Sequence, residues 1–151
     1  IHGCAIPVST LERASAPNTE TDTVVIFKLK VDGSTESSLM MEKHSLKGDT
    51  VKQGYYDGDR QKLLKPVTQG YYVLSFPELS DSNAYSLYII RGKENYLQGY
   101  GCNVSKTLAI DIHESGLFYL GDLSLQSNSP SAEIVIEKKL DEAKTYLSEY
   151  S

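Results

Sequence analysis

The sequence predicts a mainly β protein, an antiparallel β-sandwich of about seven to nine strands followed by one C-terminal α-helix. Short apolar segments with a period of two recur along the chain, and Gly, Asp, Asn and Ser separate them. Tyrosine, which suits half-buried sheet surfaces, is present in 11 copies against three Phe and no Trp. The spacing of apolar residues becomes helical only near the C-terminal end.

Size and charge narrow the class of protein. The chain has 151 residues, of which 40% are hydrophobic and 23% charged, so it has room for one globular domain with a sizeable core. The net charge of −5 argues against nucleic-acid binding, because no basic surface would follow a phosphate backbone. Two cysteines are too few for a disulfide framework or a zinc site, so we expect no metal and no cofactor.

The N-terminal residues differ from the rest of the chain. Residues 5–22 are rich in Ser, Thr, Ala, Pro and acidic residues and show neither strand nor helix periodicity. This composition predicts a flexible tether over residues 1–22 and a folded domain over residues 23–151.

Cys4 follows the small residue Gly3 and, two places further back, the aliphatic residue Ile1. This pattern resembles the end of a bacterial lipoprotein signal, in which the cysteine is lipidated and a polar tether follows. The resemblance implies lipidation of Cys4 and a location at the cell envelope, on the outer membrane or facing the periplasm. A disulfide between Cys4 and Cys102, in a secreted protein, and a free thiol at Cys4 remain as alternatives.

Alternation and turn residues predict the strands in order. The first is Thr23–Val31, with one wholly apolar face and a second face that begins with Val24 and Ile26 and continues with Lys28 and Lys30. This second face indicates a strand that leaves the core partway along its length. Further strands are predicted over residues 38–46, 50–56, 71–76, 84–91, 96–102 and 132–137.

The middle of the chain carries a second resemblance, over about 30 residues. Its pattern consists of Pro66, Gly70, Tyr71, Val73, Leu74, Pro77, Leu79, Tyr85, Leu87 and Ile89. This spacing is similar to the transthyretin-like or carboxypeptidase-regulatory type of β-sandwich. The resemblance implies an Ig-like or prealbumin-like sandwich and a binding, spacer or stabilising role without catalysis.

Residues 107–125 predict a β-hairpin near the centre of the sheet. Leu108, Ile110 and Ile112 alternate with other residues, turn chemistry follows at residues 114–116, and an apolar strand then resumes. Gly121 interrupts that second strand, which predicts a bulge or a close packing point.

The last segment predicts one helix over about residues 139–149. Leu140, Ala143, Leu147 and Tyr150 recur at helical spacing, and charged residues occupy the other faces. We expect this helix to cover an edge or a face of the sandwich, with partner binding as the alternative.

Polar candidates for a site are few. Asp111 and His113 lie two apart on a predicted strand, so they point to one face and are candidates to share a metal or a proton. No third ligand is identifiable, and exposed polar positions are the favoured interpretation. Asp122 is the unusual carboxylate, because it follows Gly121 in an apolar strand, where we expect it to accept backbone N–H bonds at a bulge. No nucleophile elbow, phosphate-binding loop or dinucleotide fingerprint is present.

Two tyrosine pairs are candidates for ligand or partner contact. Tyr55-Tyr56 and Tyr71-Tyr72 each place one ring on each face of a strand, so some rings are expected outside the core. Such rings would either shield the sheet or form a contact surface.

The sequence therefore favours a non-enzymatic envelope lipoprotein that contacts another envelope protein. The alternative is a secreted or periplasmic module that binds a carbohydrate or another small ligand. A hydrolase using Asp111, His113 and Asp122 is the third interpretation.

Overall fold

A computed structural model describes most of the predicted elements and no part of the chain before Ala5. The described residues are 5–15, 23–33, 38–44, 46–47, 50–52, 69–76, 83–91, 94–95, 108–126 and 134–150. The strands are β1 (Ala5–Pro7), β2 (Glu12–Arg13), β3 (Thr23–Val31), β4 (Ser38–His44), β5 (Leu46–Lys47), β6 (Thr50–Lys52), β7 (Tyr71–Phe76), β8 (Asn83–Arg91), β9 (Glu94–Asn95), β10 (Leu108–Ile112), β11 (Gly116–Leu125) and β12 (Ile134–Glu137), and the helix is α1 (Leu140–Tyr150). The prediction of a mainly β protein with one C-terminal helix is confirmed.

The strands form three sheets. The five-stranded sheet has the order β12-β11-β3-β7, with β2 also paired to β11. The four-stranded sheet has the order β10-β8-β4, with β9 paired to β8. A small sheet has the order β1-β6-β5. The pairing of β11 with β3 is parallel, so the sheet is mixed and the expectation of purely antiparallel pairing is wrong there. The count of seven to nine strands is not confirmed, since segments of two or three residues stand beside the longer strands.

The predicted hairpin at residues 107–125 is also wrong, although both of its strands exist. β10 pairs with β8 in one sheet, whereas β11 pairs with β3 in another. Residues 113–115 therefore carry the chain from sheet to sheet. The physical reason lies in the edges of β11, one of which pairs with β3 and the other with β2 and β12. No edge of β11 is left for β10, so the two strands form no hairpin.

A bulge in β11 sorts its side chains onto two faces. The register with β3 shifts between Tyr119 and Gly121, so that Leu120 is the extra residue. Gly121 has φ +143°, and a Cβ there would lie 2.5 Å from the Ile136 side chain. The predicted bulge is thus confirmed, and because of it Tyr119 and Asp122 share a face despite their odd spacing.

Two apolar clusters lie on opposite faces of the five-stranded sheet. The larger combines residues of the four-stranded and the five-stranded sheets: Val25, Phe27, Leu29, Val31, Tyr72, Leu74, Phe76, Leu108, Ile110, Ile112, Leu120, Leu123 and Leu125. It includes the face of β3 that the sequence predicts to be wholly apolar. Phe27 and Tyr72 stack there with ring centroids 5.2 Å apart.

Helix α1 covers the other face of the five-stranded sheet. Ala143 and Tyr146 pack with Ile26, Tyr71 and Tyr119 in the second cluster, and the rings of Tyr71 and Tyr146 stack at 4.2 Å. Asp141 and Glu142 in the first turn favour the helix dipole. The predicted helix and its position over a sheet face are confirmed. Within the described residues, no helix is long and apolar enough to cross a membrane.

Residues 8–15 form a strap across the two larger sheets, which we call the N-terminal strap. Val8 bridges Ala109 in β10, and the Ser9 amide donates to the Ala109 carbonyl at 2.8 Å. Further along, Glu12–Arg13 pairs with β11. Before the strap, β1 pairs with β6. Residues 5–15 are thus attached to the sheets, and the expectation of a free tether over residues 1–22 is wrong for them. The remaining residues of that tether lie outside the described part.

Candidate functional site

The strap and the end of β10 enclose a cleft of about 550 Å³. It opens where the chain passes from Ile112 to Gly116 between the sheets. Its apolar wall consists of Val8, Leu11, Ile112 and Phe118, and its polar wall of Ser9, Thr10, Thr23, Asp111, His113 and Glu114. A concave site with apolar walls and a few convergent polar groups is the usual form of a small-ligand site.

Three groups of the polar wall, Asp111, His113 and Glu114, lie close together. His113 Nδ1 lies 3.1 Å from Asp111 Oδ2, and His113 Nε2 lies 3.9 Å from Glu114 Oε1. The second Glu114 oxygen accepts a 3.0 Å hydrogen bond from Arg13, whose guanidinium lies 4.7 Å over the Phe118 ring. The predicted approach of Asp111 and His113 is thus present, and Glu114 and Arg13 extend it.

Local backbone geometry holds this wall in place. Thr23, at 1% exposure, donates through its hydroxyl to the Glu114 carbonyl, which ties the start of β3 to the loop after β10. Gly116 begins β11 at φ +123°, and a Cβ there would lie 2.6 Å from an Arg13 nitrogen. The positive φ favours glycine at this position, whereas the Arg13 side chain could shift to make room for a Cβ.

The arrangement is poorly suited to metal binding or nucleophilic catalysis. The two nitrogens of His113 face different carboxylates, so the three groups do not converge on one point. Among the described residues, no group of three or more His, Cys, Asp and Glu is placed to hold a metal ion. The buried hydroxyl of Thr23 donates to the Glu114 carbonyl. Asp111, His113 and Glu114 offer charged and hydrogen-bonding contacts to a ligand.

Asp122 lies away from this cleft and does not join Asp111 and His113. It accepts a 2.7 Å hydrogen bond from the Tyr119 hydroxyl, which in turn accepts one of 3.1 Å from the Lys139 amide. Burial, and next the bond to Asp122, raise the pKa of Tyr119 well above its usual range. Among the described residues, the donor to Asp122 is this phenol and not a backbone N–H at the bulge. Asp122 lines a different pocket, of about 110 Å³, beside Lys28 and Lys139.

The tyrosine candidates divide into buried and undescribed residues. Tyr71 and Tyr72 are only 3% and 1% exposed, so the interpretation of this pair as an exposed contact surface is wrong. The reason is that α1 covers Tyr71 while the main core encloses Tyr72. Tyr55, Tyr56, Cys4 and Cys102 lie outside the described residues.

Sequence reasoning missed the contributions of the strap. Lys138 donates to the carbonyls of Thr10 and Leu120, the first at 3.0 Å, and so pins the strap to β11. Arg13 reaches Glu114 across a sequence separation of 101 residues. No local sequence pattern predicts contacts between residues so far apart in the chain. The one local signal is that Leu11 and Arg13 alternate with Glu12, as residues of a strand do.

No protein-family model, curated protein or solved structure matches the chain.

Proposed function

We propose that the protein is a non-enzymatic bacterial cell-envelope lipoprotein, anchored through Cys4, whose β domain contacts another envelope protein. The observation that carries this proposal is the run Ile1, Gly3 and Cys4, with its likeness to a lipoprotein signal. Strand β1 begins at Ala5, directly after this cysteine. A lipid on Cys4 would thus hold the folded domain at the membrane surface, on the outer membrane or the periplasmic face.

The proposal includes a β-sandwich of the transthyretin-like type. Its support is the main core cluster, to which β10 of the four-stranded sheet and β3, β7 and β11 of the five-stranded sheet all contribute. Two sheets that share one apolar core face each other across it. In such a sandwich, α1 lies on the outer side of one sheet.

A contact role fits the outer surface of α1. Asp141, Glu142, Lys144 and Glu149 are exposed there, while Ala143 and Tyr146 fix the helix to the sheet. A rigidly packed helix with an exposed polar side presents a stable surface to a partner at little entropic cost.

Fractionation and crosslinking test this proposal. The full-length precursor is expressed in a bacterial host beside Cys4→Ser, and both are crosslinked in intact cells. We expect the parent protein in the membrane fraction with a discrete crosslinked partner, and Cys4→Ser in the soluble fraction. Equal partition of the two proteins would contradict anchoring through Cys4.

The second candidate function is a secreted or periplasmic module that binds a carbohydrate or another small ligand. The cleft of about 550 Å³ favours it, since this volume lies in the range of small-ligand sites. Glycan-array binding by the soluble protein, lost when the cleft is altered, would support this function.

A further inference from the structure

The cleft lies where the N-terminal strap diverges from strand β10. The strap follows the edge of β10 as far as Ser9, whose amide donates to the Ala109 carbonyl at 2.8 Å. It then crosses to β11, where Glu12–Arg13 pairs with Phe118 and Tyr119. The space left between the strap and the end of β10 is the cleft.

Because the strap diverges from β10 after Ser9, main-chain groups of Asp111 are directed into this space. Residues two apart on a strand direct their N–H and C=O groups to the same edge. Since the Ala109 carbonyl faces the strap, the backbone N–H and C=O of Asp111 face the same side, beyond the point where the strap turns away. The Asp111 carboxylate, 20% exposed, is held beside them by His113.

The charges of the wall favour a ligand of positive charge. Asp111 and Glu114 both line the cleft, whereas Arg13 is not among the lining residues and pairs with Glu114 while its guanidinium lies over Phe118. A ligand in the cleft therefore meets two carboxylates, with the His113 imidazole beside them, whereas the Arg13 guanidinium is not part of the lining. The remaining wall is apolar, formed by Val8, Leu11 and Ile112.

We propose that the cleft binds a primary ammonium group carried on a small apolar body, as at the amino end of a peptide that begins with an aliphatic residue. The ammonium donates to the Asp111 carboxylate, and Glu114 adds a second negative charge within the same wall. The aliphatic group occupies the apolar wall, and a following peptide unit meets the Asp111 backbone, as a strand does at a sheet edge. This site does not depend on the lipidation of Cys4.

An anion or a bare sugar fits the same wall less well. An anion would face two carboxylates. A sugar commonly stacks on an exposed aromatic ring, but Phe118 is 8% exposed and already covered by Arg13. The apolar wall favours instead an aliphatic group.

Titration of the isotope-labelled chain with three probes tests the proposal. The probes are Leu-Gly-Gly, its N-acetylated form, and 3-methylbutylamine, and binding is followed through the amide NMR signals of Thr10, Asp111 and His113. We expect Leu-Gly-Gly to bind at least about 10-fold more tightly than the acetylated form, the effect of about 1.4 kcal/mol from one charge-assisted hydrogen bond. Binding of 3-methylbutylamine at the same signals would assign recognition to the ammonium and its aliphatic group alone.

Asp111→Asn keeps the shape of the side chain and removes its charge. We expect this variant to lose the preference for the free amine, while Asp141→Asn, an equal charge change on the exposed side of α1, keeps it. Equal binding of acetylated and free peptide by the parent protein would overturn the proposal without any variant. Unchanged preference in Asp111→Asn, or no shift at the three signals with millimolar probe, would overturn it as well. Membrane anchoring is measured separately, so its failure leaves these outcomes unaffected.

Discussion

Removal of a single hydroxyl, in Tyr119→Phe, tests how the bulge of β11 is joined to the start of α1. The Tyr119 hydroxyl donates to Asp122 at 2.7 Å and accepts from the Lys139 amide at 3.1 Å, and the residue is fully buried. The variant loses a bond to a charged group, worth about 1.5–3 kcal/mol, and one to an amide, worth about 0.5–1.5 kcal/mol. Because water reaches Asp122 and Lys139 in part, we take the lower ends and expect a loss of about 2 kcal/mol.

Urea denaturation followed by circular dichroism measures this loss as a shift of the midpoint at constant m-value. The melting temperature should fall by about 4–8 °C for a chain of this length. Ser124→Ala, on an exposed position of the same strand, is the control and should change stability by less than about 0.5 kcal/mol. In a double-mutant cycle, Tyr119→Phe and Asp122→Ala should be non-additive, because each removes the same bond. Additive effects, or a loss no greater than that of Ser124→Ala, would show that the bond between Tyr119 and Asp122 does not stabilise the fold.

Three further substitutions and conditions test the packing of the five-stranded sheet. Gly121→Ala should destabilise the fold by about 2 kcal/mol or more, because the added Cβ clashes with β12 and the φ is unfavourable for alanine. Gly33→Ala is the control, also at positive φ but in open space, and should cost only about 1–2 kcal/mol. Equal melting temperatures of the two variants would exclude the clash. Tyr146→Ala should cost about 3–5 kcal/mol by uncovering the sheet, whereas exposed Lys144→Ala should change the urea midpoint little. Burial raises the pKa of Tyr72 to about 12, so the folded state binds this proton more tightly than the unfolded state, whose tyrosines titrate near 10. Stability should therefore be intact below pH 10 and fall as the pH rises from 10 towards 12. Urea midpoints at each pH measure this fall, and a smaller fall in Tyr72→Phe would assign part of it to the Tyr72 hydroxyl.

Periodicity was sufficient for those parts of the fold that depend on which face of an element is buried. The two unlike faces of Thr23–Val31 predict the main core on one side and partial cover on the other, as observed with Ile26 under α1. The helix follows from spacing in the same way. Asp111 and His113 are found together because residues two apart on a strand share a face.

Partner choice between strands could not be predicted in this way. Alternation shows which side chains of β10 and β11 are buried, but not that β11 pairs in parallel with β3. That pairing depends on contacts between segments about 90 residues apart in the chain. The turn at residues 114–116 looks the same whether it closes a hairpin or crosses between sheets.

The strap and the strand that precedes it were not predicted, because β1 and β2 are too short for a period to show. β1 and β2 have three and two residues, and they gain their structure from β6 and β11 rather than from local propensity. The cleft could not be foreseen without the strap, since Val8 and Leu11 form part of its wall.

Intact mass spectrometry of the full-length precursor, after expression in a bacterial envelope, shows whether Cys4 holds this chain at a membrane. We expect a mature chain that begins at Cys4 and carries a diacyl or triacyl mass increment on its first peptide. A mass lower by two protons, with Cys4 joined to Cys102, would contradict it. The protein would then be a freely secreted module.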